Sequence, residues 1–158
     1  MKPTTLFAHA VQDTALGHAI RSADPRVIEG AQLFHVFGLT LVLASVLLLN
    51  LRLFGRVLGD VAPQRLAGAL APLWLTGLVA TVLSGITLFL SAALVYDANK
   101  VFWTKLLLLL LAAGVQALLW RRVRDPRPLS AAAARSVATL SLLLWASVGI
   151  AGRAIGFI

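Results

Sequence analysis

The sequence predicts an all-α integral membrane protein, a four-helix bundle preceded by an amphipathic helix on the membrane surface. Three observations predict it. Four separate stretches are apolar over about the 20 residues that a helix needs to cross a bilayer core. Of the 158 residues, 59% are hydrophobic and 13% charged, whereas soluble domains carry roughly a quarter charged residues. Most of the arginines fall in short loops between the apolar stretches, where they act as topology signals.

Residues 1–26 read as a surface helix and linker, and residues 27–158 as the bundle. Over residues 4–22, Leu6, Phe7, Ala10, Val11 and Ala15 recur at spacings of three and four, while Gln12, Asp13 and Arg21 fall among polar neighbours. That pattern predicts a single helix lying flat on the membrane. Ser22-Ala-Asp-Pro25 is a break, with Pro25 able to start the next helix and Asp24 or Ser22 to cap it. Span 1 follows over about 27–53. The loop from Gly55 to Gly68 has Arg52, Arg56 and Arg65 on or beside it.

Span 2 covers about 69–96. Gly77, Ser84 and Ser91 recur every seven residues along it, with Ala80 and Thr87 between them. In lipid, such a stripe of small residues lets helix backbones approach closely. Asp97-Ala-Asn-Lys100 is a tight turn into span 3, about 101–123, where Lys105, Ala112 and Gln116 share a face. Arg121, Arg122, Arg124 and Arg127 flank an Asp125-Pro126 break. Span 4 covers about 131–156, with Leu142, Ala146, Gly149 and Arg153 along one face.

Composition also excludes. The net charge is +8, but its placement in loops argues against nucleic acid as a partner. The chain has no cysteine and its only methionine is Met1, so no disulfide, thiolate site or Cu(I) relay can be built from it. There is no His-Glu-x-x-His, no Gly-x-Ser-x-Gly elbow and no phosphate-cradling glycine loop, and no catalytic residue is nominated. The first 22 residues lack the continuous apolar core of a signal peptide.

Loops 1–2 and 3–4 with their helix ends hold eight arginines against two acids; the opposite side holds six basic residues against four acids. The positive-inside rule therefore places both termini outside the cytoplasm. On that outer side, Gln32 and His35 occupy the first part of span 1. Lys105 is about one turn inside span 3, Arg153 is near the end of span 4, and Asn99 with Asp97 caps the turn. A charge at the centre of a span costs roughly 2.5–3.5 kcal/mol on insertion scales, and less where a long side chain can reach the interface. Three spans bringing nitrogen-bearing groups to one height predict a polar, anion-friendly pocket open to the outside. Glu29 lies roughly 120° round the helix from His35 and falls outside this set.

The run Glu29-x5-His35-x2-Gly38, the stretch Asn50-Leu-Arg-Leu-Phe-Gly55, the pattern Tyr96-x2-Asn99-x2-Phe102-x2-Lys105, and the ending Trp145…Gly152-Arg153 together resemble a bacterial family of uncharacterised four-span membrane proteins. The likeness covers nearly all the chain after residue 20. Asn50 departs from the acidic residue usual at its position. More distantly, the layout is similar to the membrane domain of copper-resistance protein D and to small b-type cytochromes. The resemblance implies a multi-pass protein of the bacterial cytoplasmic (inner) membrane.

Three functions fit these residues. The first is a non-enzymatic module that binds a ligand or partner subunit through His35, Lys105, Arg153, Gln32 and Asn99, as a homo-oligomer or within a larger membrane complex. The second is a haem b electron carrier with His35 as an axial ligand; its second ligand would come from His9, His18, Lys105 or another subunit. The third is a metal or small-anion transport component. Because the chain lacks cysteine, its orientation can be read from single cysteines. A membrane-impermeant maleimide should label Ala98→Cys in intact cells and Asp60→Cys only after permeabilisation; the reverse pattern overturns the assigned orientation.

Overall fold

The computed structural model describes residues 3–125, 127 and 130–157, with side chains from Phe7 onward. Lys2 and Pro126, used above in the charge count and the third loop, lie outside the described residues, as does the side chain of Leu6. The described chain is all-α: α1 (Pro3–Gln12), α2 (Ala15–Arg21), α3 (Pro25–Leu53), α4 (Pro63–Ser91), α5 (Ala93–Ala98), α6 (Lys100–Arg124) and α7 (Ala131–Ala154), closed by a 3-10 turn over Ile155–Phe157. Four helices, α3, α4, α6 and α7 with its closing turn, are long and apolar enough to cross a membrane. A helix satisfies its own backbone polar groups, which lipid cannot do. At 29 residues each, α3 and α4 are roughly 43 Å long, so their ends reach beyond a core of about 30 Å.

The ends of the helices are written in their capping residues. Pro25 is the first residue of α3, and the Asp24 carboxylate accepts from the Arg26 N–H at 2.9 Å. At the far end Gly55 takes φ +73°, the Gly55 N–H donates to the Arg52 carbonyl and the Arg56 N–H to the Leu51 carbonyl, both at 3.0 Å. That is a Schellman ending, and it needs a residue that tolerates the left-handed region. Arg52 then donates from Nε to the Val61 carbonyl at 2.7 Å and from Nη2 to the Gly59 carbonyl at 3.0 Å, holding the following loop. The Asn50-Leu-Arg-Leu-Phe-Gly55 motif thus ends the helix and shapes the turn after it.

Three expectations are corrected. The single helix over 4–22 is two, parted at Asp13 and Thr14: Thr14 Oγ1 accepts from the Gly17 N–H at 3.0 Å, and so starts α2 afresh. Both pieces dock on the bundle, α1 against α5 and α2 against α4. Span 2 begins six residues earlier than expected, at Pro63, and stops at Ala92, whose φ −149° and ψ 46° are not helical. The break turns α5 so that Tyr96 packs on Phe89 and Phe102, with ring centroids at 6.5 and 5.4 Å. Finally, the buried face of α7 is Ala134, Ala138, Ser141, Trp145, Val148 and Ala151, about 100° from the face read off Leu142, Ala146, Gly149 and Arg153.

The bundle is two antiparallel hairpins, α3 with α4 and α6 with α7, joined by α3 against α7 and α4 against α6. One end carries both termini, and the other carries the arginine-rich loops. Much of the apolar core lies toward the arginine end: Val46, Leu49, Leu66, Leu70, Leu119 and Trp120 are among its members. Trp74 and Trp120 pack there with ring centroids 5.2 Å apart and planes tilted by 32°. Trp120 Nε1 and Arg124 Nη2 both donate to the Ala67 carbonyl, at 2.9 and 3.1 Å. Pro72, inside α4, cannot donate to the backbone ladder one turn up the helix from this point.

A fully buried polar chain ties the hairpins together. Asn50 Nδ2 on α3 donates to Ser141 Oγ on α7 at 3.2 Å, and Ser141 Oγ donates to Gln116 Oε1 on α6. Interhelical bonds of this kind are worth about 0.6 kcal/mol on average in membranes, so they set register more than they add stability.

The closest backbone approach is between α3 and α4. A Cβ on Gly38 would stand 2.8 Å from the Gly77 carbonyl oxygen and 2.7 Å from Thr81 Oγ1; one on Gly77 would stand 2.7 Å from the Gly38 carbonyl oxygen. Gly38→Ala should therefore destabilise the protein by about 1–3 kcal/mol, as overpacking does. Gly30→Ala meets nothing within 4 Å and should be neutral or slightly stabilising. Reversible unfolding in mixed detergent micelles reads both changes.

Candidate functional site

At the end carrying the termini, α3 and α4 present His35 and Ser84 to each other. His35 Nδ1 lies 3.1 Å from Ser84 Oγ. Ser84 has one hydroxyl proton, and its Oγ lies 2.6 Å from the Ala80 carbonyl, which can only accept. The hydroxyl proton goes there, so the proton between the side chains belongs to the imidazole: His35 Nδ1–H donates to Ser84 Oγ. In its neutral form the ring then carries a lone pair on Nε2. Gly85 clears the space beside it, since a Cβ there would stand 3.2 Å from His35 Cε1.

Lys105 reaches the same region from α6. Its charge is the one that bears on the His35 ring. The lysine stem lies along α7 at Gly152, where a Cβ would stand 3.5 Å from Cε and 3.6 Å from Nζ. Both side chains are half-buried, and no carboxylate among the described residues stands close enough to offset the ammonium. Thr81 Oγ1, one turn from Ser84, is buried without a hydrogen-bond partner. The four spanning helices therefore meet here as a histidine, a serine with a glycine, a lysine and a second glycine. An ammonium and an imidazole lone pair at one end of the bundle suit a ligand that both accepts and donates hydrogen bonds and carries negative charge.

The other expected members are elsewhere. Arg153 is exposed, with its guanidinium 4.6 Å above the Phe157 ring. It follows the outward face of α7, which the sequence stripe did not distinguish from the inward one. Gln32 and Glu29 are exposed on α3. Asn99 caps α6, accepting from the Val101 N–H at 2.9 Å. Asp97 does not cap the turn; it lies within α5, buried, with Oδ1 unpartnered, while its carbonyl accepts from Trp103 Nε1 at 3.1 Å. An open cavity of about 830 Å³ lies at this rim, lined by Tyr96, Asn99, Lys100 and Ile155 among others, and His35, Lys105 and Arg153 are not in its wall.

For a haem or metal ion, the described spans supply one imidazole. His9 and His18 are exposed on α1 and α2, and His18 Nδ1 accepts from Arg21 Nη2 at 3.2 Å. No group of three His, Cys, Asp or Glu side chains that could hold a metal ion is present among the described residues. His35 alone is oriented as a ligand, because the bond from its Nδ1–H fixes the ring and frees Nε2.

Nitrogen-15 spectra of histidine-labelled protein test this arrangement. Neutral His35 should carry its proton on Nδ1, and Ser84→Ala should shift the Nδ1 resonance and broaden the tautomer balance. A ring protonated on Nε2 contradicts the bonding scheme.

No curated protein and no solved structure matches the chain. The expected likeness to copper-resistance protein D and to small b-type cytochromes therefore has no counterpart among the matches. A family model does match, over residues 12–158, and it takes in every element from α2 onward as well as the His35 and Lys105 positions. The chain belongs to that family, DUF6644, a family of unknown function.

Proposed function

We propose that this integral membrane protein is a non-enzymatic binding module. It holds the acidic group of a small ligand, or of a partner subunit, between α3, α4 and α6 on the extracytoplasmic side of the bacterial inner membrane. One observation carries the reading: His35 lies against Gly85 of α4 and Lys105 against Gly152 of α7 at the same end of the bundle, with no carboxylate among the described residues to balance the ammonium. An ionisable group inside a span is costly, and such groups mark binding or transfer sites. A ligand carboxylate or phosphate would offset that cost, with Lys105 as the charge partner and His35 orienting it by hydrogen bonds. Asn99 and Lys100 line the nearby rim cavity and would meet such a ligand on entry.

A second reading, a haem b carrier, is favoured by the fixed His35 tautomer, which points Nε2 away from Ser84. It would use His35 as one axial ligand, with the second coming from Lys105 or from another subunit. A transport role for a metal or small anion has less behind it, since both glycine faces here are occupied by the side chains of His35 and Lys105.

Purification in mild detergent followed by mass spectrometry of bound small molecules and subunits separates these readings. The wild type should retain an acidic ligand or a partner, and Lys105→Met should lower that retention about tenfold, the effect of losing one charge-assisted bond of roughly 1.5 kcal/mol. A bare protein that Lys105→Met leaves unchanged overturns the binding reading. A Soret band lost in His35→Ala establishes the haem reading in its place.

A further inference from the structure

The arginine end holds a second site, unconnected with His35 and Lys105. All four spanning helices open there around a cavity of about 230 Å³, lined by Arg52 and Leu53 of α3, Gln64 of α4, Arg122 and Val123 of α6, and Ala134 of α7. Its walls are of two kinds. Leu53, Val123 and Ala134 are apolar and lie on the bundle side, and two guanidinium groups face the opening.

The two arginines differ in a useful way. Arg52 is held in place, but both its bonds go to neutral carbonyls, those of Val61 and Gly59, so its charge is not neutralised. Arg122 is exposed at the other wall. Between them lies the start of α4, which has no side-chain cap. Pro63 has no N–H, and the next N–H groups of that first turn lack intrahelical partners, so they add donors and partial positive charge. No acidic residue lines the cavity.

We infer that this cavity binds the phosphate headgroup of an anionic phospholipid. Charge complementarity identifies the occupant. The site lies where helix ends meet the headgroup layer, on the side with the larger excess of basic residues, and basic pockets between membrane helices on that side take anionic headgroups. Its volume is smaller than the roughly 300–1,000 Å³ of pockets for drug-sized ligands, which suits a phosphodiester with its glycerol stub. The Arg122 fork matches a pair of phosphate oxygens, and Arg52 can add a bond from Nη1, which neither of its two carbonyl bonds uses. Because the site joins both hairpins, a bound phosphate would bridge the α3 and α6 ends through Arg52 and Arg122.

Native mass spectrometry of the full-length protein, titrated with phosphatidylglycerol or with phosphatidylcholine of the same acyl chains, tests the site. Phosphatidylglycerol should be retained preferentially, and Arg122→Gln should lower its retention about fivefold, the effect of removing one basic contact. Arg121→Gln should leave retention unchanged, because Arg121 is equally exposed but outside the cavity wall. Equal losses in the two variants would mean diffuse surface attraction and overturn the site, as would equal retention of the two lipids. Displacement of phosphatidylglycerol by millimolar inorganic phosphate would identify a soluble phosphate as the ligand and overturn the lipid assignment. The lipid comparison and the phosphate competition use the unaltered protein, so they stand even if Arg122→Gln fails to fold.

Discussion

The contact between Gly38 and Gly77 sets the height of every other group in the bundle. Lipid tails are as apolar as leucine, so helices in a membrane gain little by burying apolar surface against one another. Close packing and interhelical bonds remain, and close packing requires that nothing project between the backbones. At Gly38 and Gly77 nothing does, and each glycine meets the carbonyl oxygen of the other. The hairpin is antiparallel, so three residues back along α3 faces one to two turns forward along α4. That puts His35 beside Ser84 and Gly85. A slide of one helical turn toward the end of α4 would leave the imidazole facing Leu88 or Phe89.

The two ends of the bundle are built differently as a result. Toward the arginine end, large side chains fill the centre: Leu49, Leu119 and the paired Trp74 and Trp120. Trp120 and Arg124 converge on the Ala67 carbonyl and tie α6 to α4. Toward the termini the centre is occupied by small and polar groups, Gly38, Thr81, Ser84, Gly85 and Gly152, with His35 and Lys105 among them. An aromatic group of Phe7, Phe89, Tyr96, Phe102 and Trp103 closes the rim at that end. Large side chains at one end and small and polar ones at the other leave the polar groups to the end that carries the termini.

Much of this was legible in the residues, and the failures have a common cause. The four spans, the Asp24–Pro25 start and the Asn99 cap rest on local chemistry, and the structure has them. The facing of a membrane helix does not rest on local chemistry. In water a helix declares its buried side by its apolar stripe; in lipid both sides of α7 are apolar, and nothing in the residues sets the Leu142, Ala146, Gly149 and Arg153 face apart from the buried one. The core instead takes Trp145 and Ser141, one position away from Ala146 and Leu142. Arg153 went outward with that rotation, and Ser141 was missed although its partners Asn50 and Gln116 both stood out. The break at Ala92 had no signal either: Ser91-Ala-Ala-Leu-Val contains neither glycine nor proline, and packing of Tyr96 against Phe89 overrides helix propensity there.

The Asn50–Ser141–Gln116 chain bears on how the protein is made. Asn50 belongs to the first hairpin; its partner Ser141, and Gln116 to which Ser141 donates, belong to the second. When α3 and α4 have left the ribosome and met at their glycines, the Asn50 amide still lacks the serine to which it donates in the finished bundle. Synthesis of some ninety further residues separates Asn50 from Ser141. Until they arrive, the hydrogen bond that fastens the first hairpin to the second cannot form, so the order of synthesis makes this tie a late step in assembly.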